Sequence, residues 1–195
     1  MQTPTRINNK LNIVIPVDET SLGTVYVHAT PISRATFERF YDVLGATFTA
    51  LYQKRLNLFS GPKVTSLLLR DTAKELGRWD GPDGIERGLL PEIWRLTNVA
   101  VLGDRGWEAI PYHDAVAKKV FDDDDQAEVE NAVCFFTVNS AVMPKGQLGT
   151  ILAGMESLWG VQVTSLSCTE FAAGLPRSTE EEASTVTPLP TAARA

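Results

Sequence analysis

Alternation comes first along the chain. Residues 11–17 (LNIVIPV) and 24–30 (TVYVHAT) are rich in β-branched and aromatic types and are separated by a polar stretch ending in Gly23, which predicts an antiparallel hairpin with a loop longer than two residues. Pro16 lacks a backbone N–H, so the first strand is expected at a sheet edge or ending there. The alternation of the second strand sets His28 on its more exposed face. From residue 33 the period lengthens. Ser33 is a suitable N-cap, Ile32 can staple to Phe37, and Phe37, Phe40, Tyr41, Leu44, Phe48, Leu51 and Tyr52 follow helical spacing as one continuous stripe. Gly45 lies beside that stripe, where another element could approach closely.

A second helix is expected from Pro62 to a stop at Gly77, carrying Val64, Leu67, Leu68 and Leu76. Residues 79–84 (WDGPDG) read as a loop, and residues 85–97 as a shorter helix that Pro91 either interrupts or starts. Residues 98–102 and 107–110 flank Gly103-Asp104-Arg105-Gly106, a second small hairpin near 98–110. Residues 113–120 have weak helical character. The acidic run Asp122 to Asp125 then leads into residues 124–160, which predict a helical hairpin broken at Pro144-Lys145-Gly146. Asp125 and Glu128 have capping-box spacing, and Val129, Ala132, Val133, Phe136, Ser140 and Met143 share one face. Residues 132–138 also suit a strand, but the length and the cap favour helix. Leu148, Ile151, Leu152, Met155 and Trp159 repeat the stripe up to Gly160. Residues 161–168 read as extended or loop-like, with a helical turn at 169–173.

These elements give an α+β fold, mainly helical. The expected organisation is a flexible segment at 1–10, one globular domain at 11–175 and a tail at 176–195. The tail is Ser, Thr, Glu, Pro and Ala with few large apolar residues, a composition that predicts disorder. Across 195 residues, 44% are apolar, enough for one substantial core.

A net charge of −6 without a basic cluster argues against a nucleic-acid partner. Residues 131–155 carry a single charge, yet Asn139, Ser140, Pro144 and Gln147 within them argue against a membrane span. The N-terminus has no apolar leader, which predicts a cytoplasmic protein. Cys134 and Cys168 sit among apolar or small neighbours and read as reduced, buried packing residues.

Catalytic chemistry finds little to work with. Two histidines, His28 and His113, have no metal-ligand spacing, and the acidic run at 122–125 lacks the alternation and glycine of a calcium loop. Neither a nucleophile elbow nor a phosphate-cradling glycine loop is present, and although His113-Asp114 could pair with a distant serine, adjacent positions rarely face the right way. The expectation is a protein without enzymatic activity, metal or cofactor. Trp79, Trp107 and Trp159 are the candidate protein-interaction residues, since aromatic anchors concentrate in interfaces. Trp79 and Trp107 lie in turn-like surroundings.

The run at 128–138 (EVENAVCFFTV), the later 157–160 (SLWG) with 164–173 (TSLSCTEFAA), and the opening 23–33 (GTVYVHATPIS) together resemble proteins encoded among the tail genes of long-tailed bacteriophages, most closely the tail assembly chaperones. The resemblance covers most of the chain up to about Leu175. It implies a non-enzymatic protein of the host cytoplasm, absent from the finished virion, whose partners are the tape measure protein, kept from aggregating, and tail tube subunits, which it helps recruit. Such chaperones are often also made in a longer form by ribosomal frameshifting, although the Gly-Lys or Lys-Lys pair of a common slippery run is missing from this tail. A structural tail or head-to-tail connector subunit, a small phage enzyme, and self-association all stay open at this point.

Overall fold

The computed structural model describes residues 11–56 and 58–176. The expectations for a flexible segment at 1–10 and for a disordered tail lie outside the described residues, except for Pro176. Within them, the two hairpins join into one antiparallel five-stranded sheet of order β4-β3-β2-β1-β5. Its strands are β1 (Asn12–Thr20), β2 (Gly23–Ala29), β3 (Thr97–Gly103), β4 (Gly106–Pro111) and β5 (Gln162–Thr164). The fold is α+β with helix predominating.

The first hairpin is tighter than its sequence predicts. Thr20 pairs with Gly23, leaving Ser21 and Leu22 as the turn, and the ladder register shifts between Val17 and Thr20, with Glu19 at φ 59. The polar residues at 18–20 thus continue the strand through a bulge. Pro16 is tolerated beyond the short reach of β5, which pairs only Asn12 to Val14. The second hairpin forms as expected, with Asp104-Arg105 as a two-residue turn and Gly106 at φ 116.

Seven of the eight α-helices among the described residues, α1 (Arg34–Arg39), α2 (Tyr41–Gln53), α3 (Gly61–Glu75), α4 (Leu90–Arg95), α5 (Tyr112–Ala117), α6 (Asp123–Val142) and α7 (Lys145–Trp159), precede the last strand; α8 (Cys168–Ala173) follows it. A π-helical turn at Ile85–Leu89 leads into α4, with Pro91 in its first turn. Ser33 caps α1 as predicted, its hydroxyl accepting the Thr36 N–H at 3.1 Å. The expected single long helix is instead broken at Phe40 (φ −122°, ψ 20°), whose buried ring lies against Gly88 of the π-helical turn. Tyr41 and Tyr52 of the predicted stripe are exposed.

The core lies between the sheet and the helices. Ile13, Ile15 and Val17, Val25 and Val27, and Val99 and Val101 meet Leu44, Leu51, Leu69, Phe136, Leu152 and Met155 in one apolar cluster. Helix α6 is its axis: every residue from Val133 to Asn139 is buried, so it has no single apolar face of the kind the sequence suggested. Its start also differs, because Asp122 rather than Asp125 is the cap, accepting the Asp125 N–H at 2.8 Å. One turn earlier, the first three aspartates of the helix then complement its positive end.

Helix α6 packs mainly on α3, whose buried residues are mostly small or hydroxyl-bearing, Gly61, Pro62, Thr65, Ser66, Thr72 and Ala73, beside Leu68 and Leu69, leaving Leu67 and Leu76 exposed. Small side chains let the backbones approach. Buried Asn131 ties the two helices, accepting the Ser66 N–H at 2.9 Å and donating to the Ala127 carbonyl at 2.8 Å. The close approach expected at Gly45 is absent, with open space around it, and belongs to Gly61 instead.

The opposite sheet face carries a second, smaller cluster: Ala100, Tyr26, Trp107 and Ala109 beneath Cys168, Ala172 and Leu175. This layer overturns the exposure expected for His28, which is only 1% exposed. Residues 165–167 fold over it, and the Leu166 carbonyl accepts from His28 Nε2 at 3.0 Å and from Asn12 Nδ2 at 2.8 Å.

Candidate binding cleft

Between the β1 edge and the helices opens a cleft of about 190 Å³. Strand β1 supplies Ile15, Pro16, Val17 and Asp18; α3 supplies Pro62 and Lys63; α6 supplies Asp125, Glu128, Val129 and Ala132; α7 and the residue after Gly160 supply Met155, Trp159 and Val161. The cleft exists because β5 pairs with β1 only at Asn12 to Val14, while Gly160, in the left-handed conformation at φ 64, turns the chain away from α7. Beyond that point nothing pairs with β1 on this side among the described residues. The floor is apolar and the rim charged.

Trp159 is held in place from behind, its indole N–H donating to the Leu58 carbonyl at 2.7 Å. Lys63 Nζ stands 5.7 Å from the Trp159 ring centroid and 3.3 Å from Glu128 Oε1. Desolvation, and then the charges of Asp122, Glu128 and Asp124, hold the Asp125 carboxyl above its ordinary range. Such a lining can bind an apolar group and a cation side by side. It offers no paired nucleophile and base.

The three candidate tryptophans do not converge. Trp79, half-buried after α3, packs on the core with Lys74 Nζ 5.4 Å from its ring centroid. Trp107, half-buried on β4, lies 5.4 Å from Tyr26 and donates its indole N–H to the Pro176 carbonyl at 2.6 Å, fastening the C-terminal segment to the sheet. Trp159 alone lines the cleft. Its partners there, Ile15, Val17, Lys63 and Met155, were not among the candidate site residues, although Met155 shares the predicted helical stripe of Trp159. The signals that bear on them are Pro16, which interrupts β1's hydrogen bonding, and Gly160, which ends α7.

His113 Nε2 lies 2.8 Å from Asp114 Oδ1, but on α5 the His113 side chain is exposed and that of Asp114 half-buried. Cys134 and Cys168 are free and buried, and burial pushes their thiols up to about 12 and about 11. Among the described residues, no group of three or more His, Cys, Asp or Glu side chains is placed to hold a metal ion, and no helix is long and apolar enough to cross a membrane. Comparison with protein-family models, curated proteins and solved structures gives no match for this chain.

Proposed function

We propose that this chain is a non-enzymatic phage tail assembly chaperone of the host cytoplasm, which binds the tape measure protein and helps recruit tail tube subunits during tail morphogenesis. The observation that carries the reading is the cleft beside β1. It is an open apolar recess with a fixed tryptophan and a charged rim, suited to holding a side chain of another protein. The resemblance at 23–33, 128–138, 157–160 and 164–173 supports the same reading, and two of these stretches contribute Glu128, Val129, Ala132 and Trp159 to the cleft.

The test is coexpression with the tape measure protein encoded nearby. A soluble complex that co-elutes with this chain is the expected result; a tape measure protein no more soluble with the chain than without it, and no complex, refutes the proposal. Mass spectrometry of purified particles separates the alternative, a tail or head-to-tail connector subunit retained in the virion. The chaperone reading requires this chain to be absent from them.

A further inference from the structure

Lys63 places a cation over an aromatic face and against a carboxylate at the mouth of the cleft, with Asp18 and Asp125 also on the rim. Its pair with Glu128 joins side chains that are 55% and 67% exposed. An ion pair so open to water is readily exchanged for another of the same sign. Past Asp125, which lines both, the cleft runs into a wider groove between the β1–β2 turn and the start of α6, where Glu19, Asp122 and Asp123 face Lys119. Carboxylates outnumber ammonium groups along the whole path. An incoming cation would face Asp18, Asp125 and Glu128 at the cleft and Glu19, Asp122 and Asp123 beyond it.

The β1 edge restricts how an occupant binds. Pro16 has no N–H to offer, and the bulge between Val17 and Thr20, with Glu19 at φ 59, breaks the ladder. These are the devices that keep an edge from templating another strand. An occupant therefore docks through its side chains.

We infer that the groove receives an amphipathic helical segment of a partner protein, an apolar side chain entering against Val17, Ala132 and Trp159 while Lys or Arg residues lie on Asp18, Asp125 and Glu128 in place of Lys63. This rests on the cleft being the chaperone's binding site and adds the charge and conformation of what it binds. The helix-in-groove mode supplies apolar anchors at helical spacing, and the acidic rim selects basic flanks.

The experiment uses the full chain and synthetic amphipathic helical peptides that share one Leu stripe and carry either Lys or Glu beside it, with binding followed by tryptophan fluorescence and calorimetry. The Lys peptide is expected to bind at least about 10-fold more tightly than the Glu peptide, with affinity that falls as salt rises. Combined Asp18→Asn, Asp125→Asn and Glu128→Gln substitution is expected to weaken the Lys peptide roughly 10-fold. Lys63→Ala removes the internal competitor from the cleft and is expected to raise affinity for the Lys peptide by roughly 2-fold or more. Equal binding of the two peptides, an unchanged affinity in the neutralised variant, or unchanged or weaker binding in Lys63→Ala overturns the inference, and the last holds even where the triple variant fails to fold. The peptides contain no tape measure sequence. Charge-selective binding with failed coexpression therefore refutes the chaperone reading alone, and solubilised tape measure protein with charge-blind peptide binding refutes this inference alone.

Discussion

Gly61 and Gly45 are both helical glycines, and the structure predicts opposite consequences for adding one methyl group. A Cβ at Gly61 would stand 2.5 Å from Phe135 Cε2 and 2.8 Å from the Leu56 carbonyl oxygen. Neither can withdraw freely, because Phe135 is 2% exposed at the centre of α6 and Leu56 presents backbone. Overpacking of this kind costs about 1–3 kcal/mol, against a gain of about 0.4–1 kcal/mol from the less flexible unfolded chain. The net expectation for Gly61→Ala is a loss of about 1–2 kcal/mol, or roughly 2–8 °C in Tm for a chain of this size. Gly45 lies inside α2 with nothing within 4 Å of its Cβ position, and the Thr49 hydroxyl bond to its carbonyl is untouched by Ala. Gly45→Ala should raise stability by about 0.5–1 kcal/mol. Urea unfolding of both variants, with a check that the m-value is unchanged, measures the pair. Gly61→Ala should also be partly rescued by Phe135→Leu, with a coupling above about 0.5 kcal/mol. A stabilising Gly61→Ala would refute the close approach of α3 to α6, and with it the positions of Pro62 and Lys63 in the cleft wall.

Burial lowers the pKa of His28, a lowering that its bond to the Leu166 carbonyl only partly offsets, so the unfolded chain takes up this proton before the folded one. The contribution of His28 to stability is therefore full above about pH 6.5 and is lost as pH falls below it through the folded pKa, and His28→Gln should flatten Tm measured between about pH 6.5 and 5 relative to the parent. A parent and variant that lose stability in parallel would contradict this. Cys134 and Cys168 should both resist a thiol-specific disulfide reagent in the native protein at mildly alkaline pH and both react in guanidinium; fast native labelling of either would show that its burial is wrong. Asn131→Ala removes the acceptor of the Ser66 N–H between α3 and α6 and should cost about 1–3 kcal/mol in denaturant unfolding, whereas a loss within about 0.5 kcal/mol would mean the bond is not formed.

The cap at Ser33, the stop at Gly160, the turn at Asp104-Arg105 and the break before α7 were all legible because each depends on residues within a turn of one another. Hydroxyl-to-backbone bonds, a left-handed glycine and a two-residue reversal are local chemistry. The capping residue of α6 was misplaced by one turn for a similarly local reason: four successive aspartates offer several equivalent caps, and only the path of the preceding chain selects Asp122.

What no local pattern contained was the environment of each face. Pairing of β2 with β3 merged two hairpins into one sheet, and residues 162–164, too few to signal a strand, became β5 because β1 offered them a ladder. Residues 165–176 then covered the sheet's second face, burying His28 and fastening Trp107. Residues 133–139 of α6 became buried on every side because α2, α3 and the sheet pack around the helix, whereas a period of 3.6 identifies a face only when one side meets water. The cleft has the same origin. Its lining comes from four elements distant in sequence, and it stays open because the ladder between β1 and β5 reaches no further along β1 than Val14, and Pro16 follows. Periodicity and capping determined which residues form helices and strands; only the packing of those elements decided which surfaces were hidden and which recess was left exposed.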